Sequence, residues 1–155
     1  AAPALFSLGP VTLESISFPQ VRSVEIDFGI NAVAEGSDSD ILNTFASIET
    51  VQPAITLRGI DVAWLKSTSI PRSGKFLTHA NTTIYLRQRE MDSGGVTFWA
   101  NGSSKHIKLT AAGIGIIDDA FDGSGAAAAE CSIRIPLHYD GTNAPIVFTK
   151  DSTIT

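Results

Sequence analysis

Arg134, His138, Tyr139 and Asp140 fall within the stretch RIPLHYDG, residues 134–141, a dense group of potentially reactive side chains. A histidine oriented by a nearby carboxylate is half of a hydrolytic triad. The triad also needs a nucleophile and an oxyanion hole, and no G-x-S-x-G turn occurs in the chain to supply the serine. Asp140-Gly141 is a standard opening for a tight turn, because Asp bonds nearby backbone and Gly accepts positive φ. The stretch is therefore predicted to be the end of a strand running into a turn, and the chain is not expected to be an enzyme.

The other candidates for chemistry have structural readings as well. His79, His106 and His138 are the chain's histidines and form no H-x-x-x-H or H-E-x-x-H pair. Zinc sites normally contain at least one short-range ligand pair, so no metal site is predicted. Ser37–Asp40 and Asp118–Gly125 are acidic, but neither completes a calcium loop with its closing glutamate. The first reads as a helix cap and the second as a solvated loop. GIGII lacks the third glycine, the lysine and the helix of a phosphate loop, so no cofactor is expected. Cys131 is the one cysteine, which excludes an intrachain disulfide and a thiolate metal cluster. It reads as a small buried hydrophobe.

Two features suggest contact surfaces. Arg87 and Arg89 share a strand face in LRQRE. They could meet phosphate or the acids of a neighbouring subunit, and the acidic total favours the subunit. Trp64 and Trp99 read as core or interface anchors in preference to a sugar-stacking platform.

These side chains must be positioned by strands. VRSVEIDFGI alternates, with Val24, Ile26, Phe28 and Ile30 on one side and Ser23, Glu25, Asp27 and Gly29 on the other. VTLESISF before it reads as a strand too. GSDSDILNTFASI is the best helix candidate, with Ser39 or Asp40 as cap and Ile41, Leu42, Phe45 and Ile48 on one stripe. AITLRGIDVAWL changes phase at Gly59, as a β-bulge requires. Residues 82–100 read as a hairpin with DSGG at its turn. KHIKLTAAGIGII is a further strand with Ile107, Leu109 and Ala111 in phase, and AAAAECSIRIPLHY a long one with Ala129, Cys131, Ile133, Ile135 and Leu137 on one face. DGTNAP turns into a short last strand, IVFT. About eight strands and one short flanking helix, without a βαβ rhythm, predict a mainly β protein. Its expected architecture is an antiparallel β-sandwich or half-barrel.

The totals agree with one domain spanning 1–155. The chain is 43% hydrophobic and 17% charged, with a net charge of −5. The charged share is low against the usual quarter or so, which fits a surface partly hidden against copies of itself. An acidic chain is a poor grip for nucleic acid, although repulsion suits a protein past which a strand must slide. AAPALFSLGP lacks the charged region and long apolar core of an intact signal peptide. No apolar run reaches membrane-spanning length, so no membrane partner is expected.

The order of pieces resembles a known family. It runs from the strand pair VTLESISFPQVRSVEIDFGI through DILNTFASI, AITLRGIDVAWL and TTIYLRQREM to CSIRIPLHYDGTNAPIVF. This is similar to the tail tube proteins of tailed bacteriophages, in element order and texture and without a diagnostic motif. The resemblance implies a virion protein assembled in the host cytoplasm. It implies rings of identical subunits, usually hexamers, stacked beside other virion proteins around a lumen through which DNA passes without specific binding. Glu25 and Asp27 then become candidates to face that lumen. Arg87, Arg89, Trp64 and Trp99 become candidates for the subunit interface. A capsid decoration protein and a small β-sandwich carbohydrate-binding module are the alternatives.

Overall fold

The computed structural model describes residues 3–18, 20–36, 41–43, 45–61, 75–115, 120–122 and 130–155. Two antiparallel sheets share one core. The first is built from β1 (Phe6–Leu13), β2 (Ile16–Phe18), β8 (Thr83–Glu90), β9 (Thr97–Phe98), β10 (His106–Ala111) and β14 (Ile146–Ser152). Its order is β14-β10-β8-β1-β2, with β9 paired to the far end of β8. The second contains β3 (Ser23–Asp27), β6 (Ala54–Asp61), β12 (Ala120–Asp122) and β13 (Glu130–Pro136), ordered β12-β13-β6-β3. Two small pairs complete the described strands. One is β7 (Lys75–Leu77) with β11 (Gly113–Gly115); the other is β4 (Ile30–Glu35) with β5 (Phe45–Val51).

Alternation decides which side chains meet between the sheets. Val11, Ile84 and Leu109 from the first sheet pack in one cluster with Ile55, Leu57, Ile133 and Ile135 from the second. All seven are essentially inaccessible to water. Fully burying an aliphatic side chain of this size is worth about 1.5–3 kcal/mol, so these residues hold the sandwich together. Val24 and Ile26 pack at the margin of the cluster while Glu25 and Asp27 point outward, as the alternation predicts. The expected mainly β, antiparallel sandwich is what forms.

Glycine and turn positions set where strands bend. The pairing of β6 with β13 slips between Cys131 and Ser132, because Ile60 and Arg58 pair while Gly59 between them does not. Gly59 has φ +84, so the phase change read from the sequence is a bulge. VTLESISF is two strands and not one. Glu14 (φ 50) and Ser15 (φ 66) form the two-residue connection between β1 and β2, and two positive φ values in a row are the mark of a type I′ hairpin turn.

The helix expected over residues 36–48 requires correction. Ser39 and Asp40, its expected caps, lie outside the described residues. Ile41 and Leu42 are in an irregular segment, and Phe45–Val51 is strand β5, paired antiparallel with β4. The pairing runs from Asn31↔Thr50 directly to Ala32↔Ile48, leaving Glu49 as an extra, bulged residue. Phe45 and Ile48, two members of the expected stripe, lie on opposite faces of the ribbon, Phe45 paired with Glu35 and Ile48 with Ala32. The one helical turn among the described residues is a 3₁₀ turn, Met91–Ser93, inside the β8–β9 connection. The buried row of β3 also stops earlier than the alternation suggests. Gly29 (φ +54) turns the chain after Asp27, and Phe28 and Ile30 are exposed.

Candidate functional site

RIPLHYDG is the end of β13 and the turn after it. Arg134 is exposed on the strand's outward face, and Ile135 and Leu137 are in the core. Asp140 spends its carboxylate on the turn. One oxygen accepts the backbone N–H groups of Thr142 (2.9 Å) and Asn143 (2.6 Å), and the other accepts the Asn143 side-chain amide (3.0 Å). These bonds favour the ionised form, the Asn143 backbone N–H most of all, and hold the Asp140 carboxyl down to about 2 from an ordinary 3.8. Gly141 follows at φ +92.

The histidines occupy separate places. His106 is wholly buried. Its Nδ1 accepts the Gln88 N–H at 3.1 Å, and its Nε2 lies 3.0 Å from the Ala100 carbonyl oxygen. A carbonyl can only accept, so Nε2 carries the proton and the ring is neutral. It ties the loop before β10 to β8. His79 Nε2 meets the Thr110 hydroxyl at 3.1 Å, and the His138 N–H donates to the Ala112 carbonyl at 3.2 Å. Among the described residues, no group of three His, Cys, Asp or Glu side chains could hold a metal ion.

The two candidate contact groups lie on opposite sheets. Glu25 and Asp27 face outward on β3, an edge strand among the described residues. Across that face stand Arg58 and Arg134, since Ser23 pairs with Arg58 and both Glu25 and Arg134 pair with Thr56. Arg58 donates to Glu25 at 3.2 Å, and Asp27 accepts the Gly29 N–H at 2.9 Å. The two acids are therefore balanced by two cations.

Arg87 and Arg89 face outward on the six-stranded sheet. Arg87 donates to Asn101 at 2.9 Å and stacks 4.9 Å from the centre of the Phe98 ring. Arg89 donates to the Ser7 hydroxyl at 3.0 Å. Half-buried Trp99 donates its backbone N–H to the Gln88 carbonyl between them at 3.2 Å, and Lys105 lies 5.7 Å from its ring. Trp64 lies outside the described residues. Further along the same face is a polar cleft of about 460 Å³ lined by Tyr85, Lys108, Thr110, Thr149 and Asp151 among others, with no histidine among them.

The feature that the alternation did not reveal is the β4–β5 hairpin, which joins neither large sheet. Its register places Ile30, Ala32 and Ala34 on one face with Val51, Ile48 and Ala46. All six are exposed, at 57% for Ile30, 63% for Ile48 and 55% for Val51. INAVAE does carry the period-two signal that would have revealed it. The charge pattern carries another: between Arg22 and Arg58 there are six acids and no Lys, Arg or His.

Among the described residues, no helix is long and apolar enough to cross a membrane. Comparisons with protein-family models, with curated proteins and with solved structures found no match.

Proposed function

We propose that this chain is a self-assembling virion structural protein, a phage tail tube subunit whose rings stack around a DNA-conducting lumen. The observation that carries the reading is the β4–β5 hairpin, a two-stranded ribbon with one face wholly apolar and wholly exposed. A lone hairpin is marginal in water. Burying Ile30, Ile48 and Val51 would each contribute about 1.5–3 kcal/mol, against about 0–1 kcal/mol for an exposed ion pair. Apolar cover thus outweighs surface charge in stabilising the ribbon, and packing between subunits supplies it.

Open strand edges support the same reading. Among the described residues β2, β3 and β14 each have one strand neighbour, and unpaired edges invite pairing with further chains. Rings that continue a sheet from subunit to subunit would occupy them. The outward row of Glu25 and Asp27, offset by Arg58 and Arg134, would give a lumen wall with no net attraction for phosphate.

Electron microscopy of the purified protein at low and high concentration, with mass measured in parallel, tests the proposal. Rings or hollow tubes are expected. A monomer at every concentration overturns it, and a stable trimer without tubes points instead to a capsid decoration protein.

A further inference from the structure

We infer that the subunits join head to tail, with the β4–β5 hairpin of one copy lying across the outward face of the six-stranded sheet of the next. The inference rests on the self-assembly reading and specifies which two surfaces meet.

Charge complementarity selects the pair. Residues 30–51, the hairpin and its connection, hold Glu35, Asp38, Asp40 and Glu49 and no cation. That stretch carries −4 in a chain whose net charge is −5, leaving −1 for everything else. The hairpin is therefore the acidic part of an otherwise nearly neutral molecule. On the six-stranded sheet, half-buried Arg87 and exposed Arg89 alternate outward along β8, and Lys108 stands on β10 opposite Tyr85, which is itself buried. The outward positions of β1, β8 and β10 thus bring together three cations, against one acid, Asp151 of β14, in the cleft beside Lys108.

Apolar matching points the same way. The hairpin needs an apolar counterpart for Ile30, Ile48 and Val51. At the end of the basic face, Leu5 and Phe98 flank Arg89 on either side. Arg89 donates its N–H to the Leu5 carbonyl at 2.8 Å and pairs in register with Phe98. Leu5 is 45% and Phe98 39% exposed. A basic surface with an apolar end and an acidic ribbon with an apolar face are complementary, and they occupy different parts of one chain. Contacts of this kind are heterologous, so they close into a ring or continue as a filament.

The test uses two variants of the whole chain. Ile48→Lys with Val51→Lys spoils the hairpin face. Arg89→Glu with Leu5→Asp spoils the sheet face. All four positions are exposed, so both variants should keep the circular dichroism and melting behaviour of the parent. Each alone should be monomeric by analytical ultracentrifugation. Mixed in equal amounts they should form a one-to-one dimer and nothing larger, because one intact hairpin then meets one intact sheet face. If either variant misfolds, Ile48→Ser and Arg89→Ala replace them, and each should weaken self-association at least tenfold. A parent protein that never associates sinks the self-assembly reading itself. A parent that assembles while the variants assemble equally well, or a mixture that stays monomeric, overturns the head-to-tail pairing alone.

Discussion

Asp140 shows how a residue with the chemistry of a catalytic acid can be committed to structure. Its carboxylate accepts three hydrogen bonds from Thr142 and Asn143, and these require the charged form. The folded group titrates at about 2 and the free one at 3.8. The support it gives the turn is therefore fully present above 3.8 and is lost as pH falls through about 2. In a titration followed by NMR, the Thr142 and Asn143 amide resonances should move with a midpoint near 2, well under the ordinary carboxylate value. Asp140→Ala should lower the melting temperature at neutral pH, and the gap to the parent should close as pH approaches 2. A midpoint near 3.8 would show that the turn does not depend on the charge. Ser15 is held differently: it takes φ 66 because the hairpin geometry requires it, and its N–H donates to the Asn81 carbonyl at 3.1 Å.

At the scale of elements, Gly59 locates the bulge that bends β6. A Cβ there would stand 2.6 Å from both Cβ and Cγ of Arg22, in a backbone region where L side chains are already disfavoured. Gly94 in the β8–β9 connection has a similar φ of +76, but a Cβ would meet nothing within 4 Å. Gly94→Ala should cost only the backbone strain, about 1–2 kcal/mol. Gly59→Ala should cost clearly more, about 3 kcal/mol or above once the contact is added. Denaturant unfolding of both variants checks this, and equal losses would show that Arg22 moves aside freely. The same bulge was legible in the sequence because the apolar parity changes on either side of a glycine. Strands β3, β8 and β13 were legible for the related reason that one buried face forces alternation. The β4–β5 hairpin was only half legible: INAVAE alternates, but FASIETV does not, since neither face is buried within the subunit. Within β5, Phe45 and Ile48 are also three apart, as on a helical stripe. The β-branched residues of the segment, Ile48, Thr50 and Val51, favour strand, but the three-residue spacing masks that preference. Arg87 and Arg89 do share one face, as their spacing in a strand requires. Their ties to Asn101, Phe98 and Ser7 depend on a fold that brings β1 and the 99–105 loop beside β8, which no local pattern encodes.

At the scale of the whole molecule, the question is what a strand of DNA would meet inside the proposed tube. On the outward face of β3, β6 and β13 Glu25 and Asp27 stand against Arg58 and Arg134, and Glu130, at the same register parity as Arg134, pairs with Asp61 and Asp122, so the face has no net positive charge. Binding to duplex DNA depends on neutralising phosphates, and affinity falls by about 0.9 logarithmic units per contact for each tenfold rise in salt. A face without net positive charge therefore gives passing DNA nothing to hold. Glu25→Lys with Asp27→Lys changes the balance of this face by four charges per subunit, and a ring multiplies that change by its number of copies. The substitution leaves the core alone. It removes one exposed ion pair, worth about 0–1 kcal/mol at most, so folding and ring formation should persist. Tubes of the parent should leave duplex DNA unbound at moderate salt. Tubes of the variant should retain it, with binding that falls steeply as salt rises, and virions built with the variant should eject their genomes slowly. The same reversal at Glu35 and Glu49 on the hairpin serves as the comparison, since it adds equal charge away from this face but should weaken assembly. DNA retention that is identical for both pairs would mean that Glu25 and Asp27 do not line the passage. Unchanged infectivity of the Glu25 and Asp27 variant would count against a lumen role for this face, whatever the tubes do in isolation.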